Sequence, residues 1–338
     1  MEKHIYKTNT PFTFESGKTL PSIDLAYHTS PFPYSEDKKV IWICHALTAD
    51  SDVESWWPGL VGPGKLLDTE KYFIVCVNML GSCYGSTGPS SIDPHTGKPY
   101  LLDFPRVTVR DIVKGLNLVR EHLGIAKIDL LIGSSIGGFQ ALEWSIMHPD
   151  IFRNSLYIAT LSRVRPWLSA FEESQRMALE ADPTFRLCEG LDGGRKGLEC
   201  ARTIAMLSYR CEKAYDMKQW EESDDVMFPD RACSYQRYQG AKLANRFDAY
   251  SYWCLSYSVD SENVGRDRGG EGAALSQIKA KATVVSIDTD LIFPPEEMKK
   301  MAEMIPGAEY YMIKSDFAHD GFLLENEQLG QIIAPLML

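Results

Sequence analysis

Several features that assign proteins to common classes are missing from this 338-residue chain. No apolar run reaches the roughly 18 residues that a membrane-spanning helix needs, so we expect no transmembrane segment. The opening, MEKHIYKTNTPFTFESG, lacks the apolar stretch of an export signal. The eight cysteines form no C-x-x-C pair, and several lie in apolar segments. This pattern favours free thiols in a reducing compartment over a disulfide framework, so we predict a cytoplasmic protein.

Positive charge is also scarce relative to negative charge. The chain has 35 lysines and arginines against 46 aspartates and glutamates, a net charge of -11. Such a surface repels phosphate backbones and anionic lipids. Nucleic acid and membrane are therefore not expected as partners, and small molecules are. We find no internal repeat and no low-complexity tract.

What the chain does contain is an alternation of strand-like and helix-like segments. Short apolar runs rich in β-branched residues predict strands at residues 39–44, 72–78, 129–133, 155–160 and 282–287. Segment 108–125 has apolar residues at helical spacing, with Thr108 and Asp111 as its N-terminal cap and Gly124 as its end. Strands that are apolar throughout and alternate with helices predict an α/β fold with a mostly parallel sheet and flanking helices.

The pattern changes between residues 161 and 276. Helix-compatible stretches such as PWLSAFEESQRMALEADP replace the alternation. We interpret segment 161–276 as a helical lid inserted into one sheet domain. Residues 1–160 and 277–338 would then form the two parts of the core.

A candidate nucleophile lies where a predicted strand gives way to a helix. Gly133-Ser134-Ser135-Ile136-Gly137 matches the G-x-S-x-G motif in the strand-to-helix context that the motif requires. The turn is too sharp for large neighbours, so Ser135 would be exposed above the sheet edge as the nucleophile. Ser134 is the other candidate, but it occupies the variable position and is assigned a turn role. A phosphate cradle is the alternative, although GSSIGG is not G-x-G-x-x-G and has no P-loop lysine.

A serine nucleophile needs a base and an acid, which follow it in the order acid, then histidine, in proteins with this motif. His319 is the only histidine far enough beyond Ser135 to return to it, although a structural role is the alternative. The loop in VVSIDTDLIFPP offers Asp288 and Asp290. We favour Asp290 because the longer loop lets its carboxylate reach His319.

Two backbone N–H groups should stabilise an oxyanion. One belongs to Ile136, directly after the nucleophile, and the other to Leu47 in the loop CHALTAD. For His45 in that loop we expect a role in orienting the loop and not in proton transfer.

Longer motifs give a more specific resemblance. They are CHALTADSD, WWPGLVGPGKLLDTEKYFIVCVNMLGSCYGSTGPSSIDPHTGKPY, DFPRVTVRDIV, GSSIGGFQALEW, RFDAYSY and AHDGFLLE. With them the chain resembles the homoserine O-acyltransferase family of α/β-hydrolase-fold enzymes over nearly its whole length. The resemblance implies that acetyl-CoA or succinyl-CoA acylates the serine, after which the homoserine hydroxyl takes the acyl group in a ping-pong cycle.

The resemblance also implies a site for the zwitterionic acceptor. Arg202 and Tyr209 would bind its carboxylate, and Asp320 its ammonium group. The alternatives are a solvated lid arginine, a core tyrosine and a helix-capping aspartate. No metal and no permanently bound cofactor are implied, and the lid would build a homodimer.

Three questions stay open from the sequence. The donor is acetyl-CoA or succinyl-CoA, and the acceptor is homoserine or another hydroxyl compound such as serine. With water as the acceptor the same triad would give an esterase. A protein that only binds a ligand on this fold would require a broken triad, which the sequence does not have.

Overall fold

The chain is described by a computed structural model that covers residues 1–188 and 190–337. Its strands are mostly short and buried. They are β1 (Glu2–Lys7), β2 (Phe12–Thr13), β3 (Thr19–Leu20), β4 (Asp24–Thr29), β5 (Val40–Cys44), β6 (Phe73–Val77), β7 (Ile128–Ser134), β8 (Phe152–Ile158), β9 (Lys281–Ile287) and β10 (Glu309–Ile313).

Among the described residues, eight of these strands form one sheet in the order β1-β4-β6-β5-β7-β8-β9-β10. β4 pairs antiparallel with both β1 and β6, and the remaining neighbours are parallel. The mostly parallel sheet that the apolar strands predict is therefore confirmed. β2 and β3 form a separate small hairpin.

Helices cover the sheet and connect its strands. They are α1 (Val53–Trp56), α2 (Val109–His122), α3 (Ile136–Met147), α4 (Pro166–Glu180), α5 (Thr184–Leu187), α6 (Arg195–Tyr209), α7 (Glu212–Gln219), α8 (Arg231–Ala244), α9 (Ala249–Asp260), α10 (Glu271–Leu275), α11 (Pro295–Glu303), α12 (Gly321–Leu324) and α13 (Asn326–Ile333). Short 3-10 turns lie at Leu101–Asp103, Ala318–Asp320 and Ala334–Met337. No helix in the described part of the chain is long and apolar enough to cross a membrane.

The central strands are apolar on both sides because each side contacts a separate core. In β5, Trp42 belongs to one buried cluster, whereas Ile41 and Ile43 belong to the other. Trp42 packs edge-to-face on Trp144 of α3, with ring centroids 4.9 Å apart. Side chains alternate between the two faces of a strand, so an unbroken apolar run is what a sheet covered by helices on both faces requires.

Helix α2 begins and ends as its sequence predicts. The Thr108 hydroxyl accepts a hydrogen bond from the Asp111 N–H, and the Asp111 carboxylate accepts one from the Thr108 N–H, each over 3.2 Å. Gly124, just beyond the helix, has φ +69°, a value that glycine adopts without steric cost.

Segment 161–276 contributes helices α4 to α10 between β8 and β9. Within it, α4 packs on α6 and α9, and α6 packs on α8. Its described residues hold no strand of the sheet, and the single bridge there joins Arg163 to Asn263. The helices are thus inserted at the carboxyl end of β8, close to the turn that holds Ser135.

Candidate active site

Ser135 lies in a strained turn between β7 and α3. Its φ of +55° and ψ of -130° are rare for a residue with a side chain, and such strain is typical of functional sites. A Cβ atom on Gly133 would come 2.2 Å from the carbonyl oxygen of Gly137. A Cβ on Gly137 would come 2.1 Å from the carbonyl oxygen of Cys44. The glycines of the motif are therefore required by close backbone approach.

The two serines of the turn differ in accessibility. Ser134 is the last residue of β7 and is 2% exposed. Ser135 is partly exposed and lines a cavity. Of the two hydroxyls, the geometry favours Ser135 as the one that can meet a ligand.

His319 and Asp290 form a buried pair. The His319 Nδ1 lies 2.8 Å from the Asp290 Oδ2. The other carboxylate oxygen accepts the N–H groups of Ile292 at 2.8 Å and Phe293 at 3.0 Å. Because the carboxylate oxygens accept these hydrogen bonds, Nδ1 of the imidazole is the donor. An imidazole that carries its proton on Nδ1 presents Nε2 as an acceptor.

Aromatic rings hold the imidazole in place. The ring centroid of His319 lies 5.3 Å from that of Phe293, 5.4 Å from that of Phe322 and 5.8 Å from that of Tyr209. Aromatic packing of this kind limits rotation of the ring, so the direction of Nε2 is fixed by packing as well as by Asp290.

Asp288 has a different partner. Its Oδ1 accepts a hydrogen bond from the Ser315 N–H over 3.0 Å, which joins the loop after β9 to the segment after β10. Of the two candidate acids, only Asp290 contacts His319.

Two backbone N–H groups beside Ser135 are available to an anion. Ile136 is the first residue of α3, where an N–H has no acceptor inside the helix. Leu47 lines the same cavity as Ser135, and its N–H makes no hydrogen bond to any described residue. An oxygen that becomes negatively charged on a group bound to Ser135 could accept from both.

His45 orients the loop that carries Leu47. Its Nδ1 donates to the Ala46 carbonyl over 2.9 Å, and its Nε2 accepts from the Met79 N–H over 3.1 Å. Burial lowers the pKa of His45, so the ring is neutral in this position. Both ring nitrogens are occupied by backbone, which fits the expected structural role.

A cavity of about 430 Å³ brings the predicted residues together. It is lined by Ala46, Leu47, Thr48, Ala49, Asp50, Ser55, Trp56, Ser135, Arg202, Tyr209, Lys242, Arg246, His319, Asp320, Phe322 and Leu323. The loop after β5, the turn before α3, the helices of segment 161–276 and the 3-10 turn at Ala318–Asp320 thus share one cavity. No cluster of His, Cys, Asp and Glu that could hold a metal ion is found among the described residues.

Arg202 supplies a positive charge to this cavity. Its guanidinium lies 5.3 Å from the centre of the Tyr209 ring. It forms no ion pair with an acidic side chain in the described part of the chain. A half-buried cation without an acidic partner is suited to binding an anionic ligand group.

Asp320 is paired with a residue that the sequence did not point to. Its Oδ2 accepts from Nε of Arg210 over 2.9 Å, and Arg210 also contacts the Tyr235 hydroxyl. Burial alone would lower the pKa of Arg210, but the hydrogen bond and charge of Asp320 outweigh burial and raise it. Arg210 directly follows α6, and no sequence motif distinguishes it from a solvated arginine.

Ser135 also lines a second, smaller cavity, which we call the inner cavity. It measures about 20 Å³ and is lined by Leu47, Ser135, Ile136, Phe139, Leu168, Glu172, Tyr209, Val259, Ile292 and Phe293. Burial raises the pKa of the Glu172 carboxyl to about 8. Glu172 was not predicted from the sequence, although its position four residues after Leu168, on the buried face of α4, is a signal.

Together these groups can support acyl transfer. The Ser135 hydroxyl, an imidazole whose tautomer a carboxylate fixes, and two free N–H donors are the parts that this chemistry uses. Arg202 and Asp320 add one charge of each sign beside them.

Known proteins resemble the chain over its whole length. A family model described as alpha/beta hydrolase fold matches residues 39–326. A homoserine O-acetyltransferase of Cyclobacterium marinum is 43% identical over 100% of this chain and 96% of its own length. A homoserine O-acetyltransferase of Chlorobaculum parvum is 39% identical over 97% of this chain and 92% of its own length.

Solved structures share the fold. Esterase E22 superimposes with a TM-score of 0.89 at 22% identity, covering 100% of both chains. Homoserine O-acetyltransferase from Bacillus anthracis has a TM-score of 0.89 at 24% identity, covering 99% of this chain and 97% of that one. At such identities the likeness concerns the fold, which esterases and acetyltransferases have in common.

Proposed function

Because this chain belongs to the homoserine O-acetyltransferase family of α/β-hydrolase-fold proteins, we propose that it transfers an acetyl group from acetyl-CoA to the hydroxyl of homoserine. The names of the relatives support acetyl-CoA over succinyl-CoA and homoserine over serine. The observation that carries the proposal is that Arg202 and Asp320 line the same cavity as Ser135 and His319. The resemblance inferred from the sequence motifs is confirmed.

In the first half-reaction Ser135 attacks the thioester carbonyl of acetyl-CoA. Nε2 of His319 takes the serine proton as the new oxygen–carbon bond forms, and Asp290 stabilises the imidazolium. The carbonyl oxygen becomes an oxyanion that accepts from the N–H groups of Leu47 and Ile136. When the oxyanion collapses, the carbon–sulfur bond breaks, and the CoA sulfur leaves with the proton from His319.

In the second half-reaction the same residues transfer the acetyl group from Ser135 to homoserine. His319 takes the proton of the homoserine hydroxyl, whose oxygen attacks the acetyl carbonyl on Ser135. The same N–H groups stabilise the oxyanion. Its collapse breaks the bond to the Ser135 oxygen, which regains its proton from His319.

The acceptor is proposed to bind between two opposite charges. The Arg202 guanidinium would bind the carboxylate, with the Tyr209 ring beside it. The ammonium group would lie against Asp320, whose Oδ2 is occupied by Arg210 and whose Oδ1 makes no hydrogen bond to a described residue. Arg210 would thereby position Asp320 for the ligand.

The proposed acceptor site supports transfer over hydrolysis. Water competes with homoserine for the acetyl group, so a transferase must hold its acceptor in place. Correct orientation of a bound hydroxyl supplies effective concentrations of about 10⁵ M or more. We propose that segment 161–276 acts as the lid of the core formed by 1–160 and 277–338, and that its helices α6 and α8 limit access of water to Ser135.

We also propose that the lid pairs with a second copy of the chain. It exposes large apolar side chains near one another in sequence, with Trp220 68%, Met227 82% and Phe228 81% exposed. Clustered apolar exposure of this degree is typical of an interface.

The variant Arg202→Ala tests the proposed function. Acetylation of Ser135 by acetyl-CoA should stay close to that of the parent, because thioester attack does not use Arg202. Transfer to homoserine should slow by about 10²-fold or more, because the acceptor loses its orientation. A stopped-flow burst measures the first half-reaction, and steady-state formation of O-acetylhomoserine measures the second.

Lys196→Ala is the matched control. Lys196 is an exposed cation on the same helix, paired with Glu199 over 2.7 Å, and its loss should leave both half-reactions intact. Equal loss of both half-reactions in Arg202→Ala would contradict the acceptor site. Release of free acetate by the parent, as fast without homoserine as with it, would replace transfer by the esterase activity.

A further inference from the structure

The inner cavity beside Ser135 has room for very little. At about 20 Å³ it holds one water-sized group, since one water needs roughly 10–15 Å³ on the same measure. Besides Ser135, Glu172 and Tyr209, its lining is apolar: Leu47, Ile136, Phe139, Leu168, Val259, Ile292 and Phe293. A methyl group matches this space in size and polarity, and a longer chain does not.

Glu172 is the unexpected member of this lining. It is 3% exposed, and its Oε2 has no hydrogen-bond partner among the described residues. A buried carboxyl without a full set of partners costs stability, and structures retain such groups mainly where function requires them. The catalytic steps proposed for Ser135 and His319 do not use it.

The charged and titratable groups around Glu172 lie on three helices. On its own helix, α4, Arg176 stabilises the ionised form, and Asp260 of α9 opposes it. Tyr209 of α6 and Tyr252 of α9 also interact with the Glu172 carboxyl, and both lie near Arg202 of α6. Burial, reinforced by the charge of Asp260, outweighs Arg176 and the hydrogen bond with Gln175 and raises the pKa of Glu172 to about 8, so the carboxyl is neutral at pH 7. A neutral carboxyl can face the methyl group of an acetyl without placing a charge beside the oxyanion.

We propose that Glu172 closes the acyl end of the active site and limits the group that Ser135 accepts to the size of acetyl. This inference rests on the proposed function and names the residue that selects the donor. Glu172 lines the inner cavity together with Ser135, Leu47 and Ile136, so an acyl group on Ser135 that enters this cavity would meet Glu172. The cavity lining includes no lysine or arginine, so a succinyl carboxylate would also find no counter-ion there.

The test compares acetyl-CoA with butyryl-CoA as donors to saturating homoserine. In the parent protein kcat/KM should strongly favour acetyl-CoA. Glu172→Ala and Glu172→Ser shorten the side chain and should raise the butyryl-to-acetyl ratio about tenfold or more, since added methylenes in an apolar pocket discriminate by such factors. Glu172→Gln keeps the size and should keep the ratio.

The alkaline side of the pH profile gives a readout that a purely structural role would not move. Ionisation of Glu172 above about pH 8 would place a negative charge beside the oxyanion. The rate of Ser135 acetylation, measured without homoserine, should therefore fall above that pH in the parent. In Glu172→Gln it should not fall there, because glutamine does not ionise.

The results for the parent and for the variants distinguish a failure of this inference from a failure of the proposed function. If the parent does not transfer acetyl to homoserine, the proposed function is wrong. If the parent does transfer it, but Glu172→Ala and Glu172→Ser keep the parental ratio of donors, Glu172 does not select the acyl group. A change in ratio as large in Glu172→Gln as in Glu172→Ala would contradict size as the cause. An identical alkaline fall in Glu172→Gln would contradict the place of the carboxyl beside the oxyanion.

Discussion

Asp288 and Asp290 occupy one loop, and their hydrogen bonds separate their roles. Asp290 accepts from His319 over 2.8 Å, whereas Asp288 accepts from the Ser315 N–H over 3.0 Å. Asp290→Asn should lower kcat by about 10⁴-fold, because an amide no longer fixes the tautomer or stabilises the imidazolium. Asp288→Asn should keep kcat near the parental value and lower the free energy of unfolding by about 1 kcal/mol. Steady-state transfer and thermal unfolding measure the two effects, and the reverse ranking in kcat would reassign the acid.

Some residues of the candidate site could be predicted from sequence. Ser135 follows from a motif that needs glycine on both sides, and His319 is the only histidine far enough beyond Ser135 to return to it. Arg210 could not be predicted, because its connection to the site is a tertiary ion pair with Asp320. Glu172 is marked by its spacing: it follows Leu168 by four residues on the buried face of α4, where a carboxylate is rarely found.

Helix α3 must begin close against the sheet for Ser135 to be presented, and Gly137 sets that distance. In a free helix, alanine would be more stable than glycine by about 1 kcal/mol. Here a Cβ would lie 2.1 Å from the Cys44 carbonyl oxygen, a backbone atom that cannot move aside. Gly137→Ala should therefore lower the free energy of unfolding by about 2 kcal/mol or more, as overpacking does.

The control is a helical glycine with space around it. In α10 a Cβ on Gly272 would have its nearest neighbour, the Met304 sulfur, at 4.0 Å. Gly272→Ala should leave stability unchanged or raise it by about 0.5–1 kcal/mol. Chemical denaturation of both variants gives the comparison. An unaffected Gly137→Ala would mean that the turn is less tightly packed than the structure indicates.

The strands predicted from sequence are those whose burial produces an unbroken run of apolar residues. Central strands such as β5 and β7 contact a core on each face, so their apolar runs are unbroken. The edge strands β1 and β10 were not predicted, because their residues are largely exposed or half-buried. Their place in the sheet comes from pairing with β4 and β9 and not from their own composition.

The whole molecule is acidic, with a net charge of -11, and segment 161–276 exposes large apolar side chains. Exposed Trp220, Met227 and Phe228 support the proposed contact with a second copy. Phe228→Asp would place a charge in that contact and should shift the protein from dimer to monomer in sedimentation equilibrium. Ile92→Asp is the control, because Ile92 is 58% exposed and lies outside segment 161–276. A parent that is monomeric at every concentration, or a dimer unaffected by Phe228→Asp, would contradict the proposed contact.

The central claim of the proposed reaction is that Ser135, next to the buried His319–Asp290 pair, becomes covalently acetylated. Intact-mass measurement after mixing with acetyl-CoA in the absence of homoserine tests it most directly. The parent and Ser134→Ala should gain the mass of one acetyl group, and homoserine should remove it as O-acetylhomoserine forms. Ser135→Ala should gain nothing. An adduct that persists in Ser135→Ala and disappears in Ser134→Ala would contradict the choice of nucleophile.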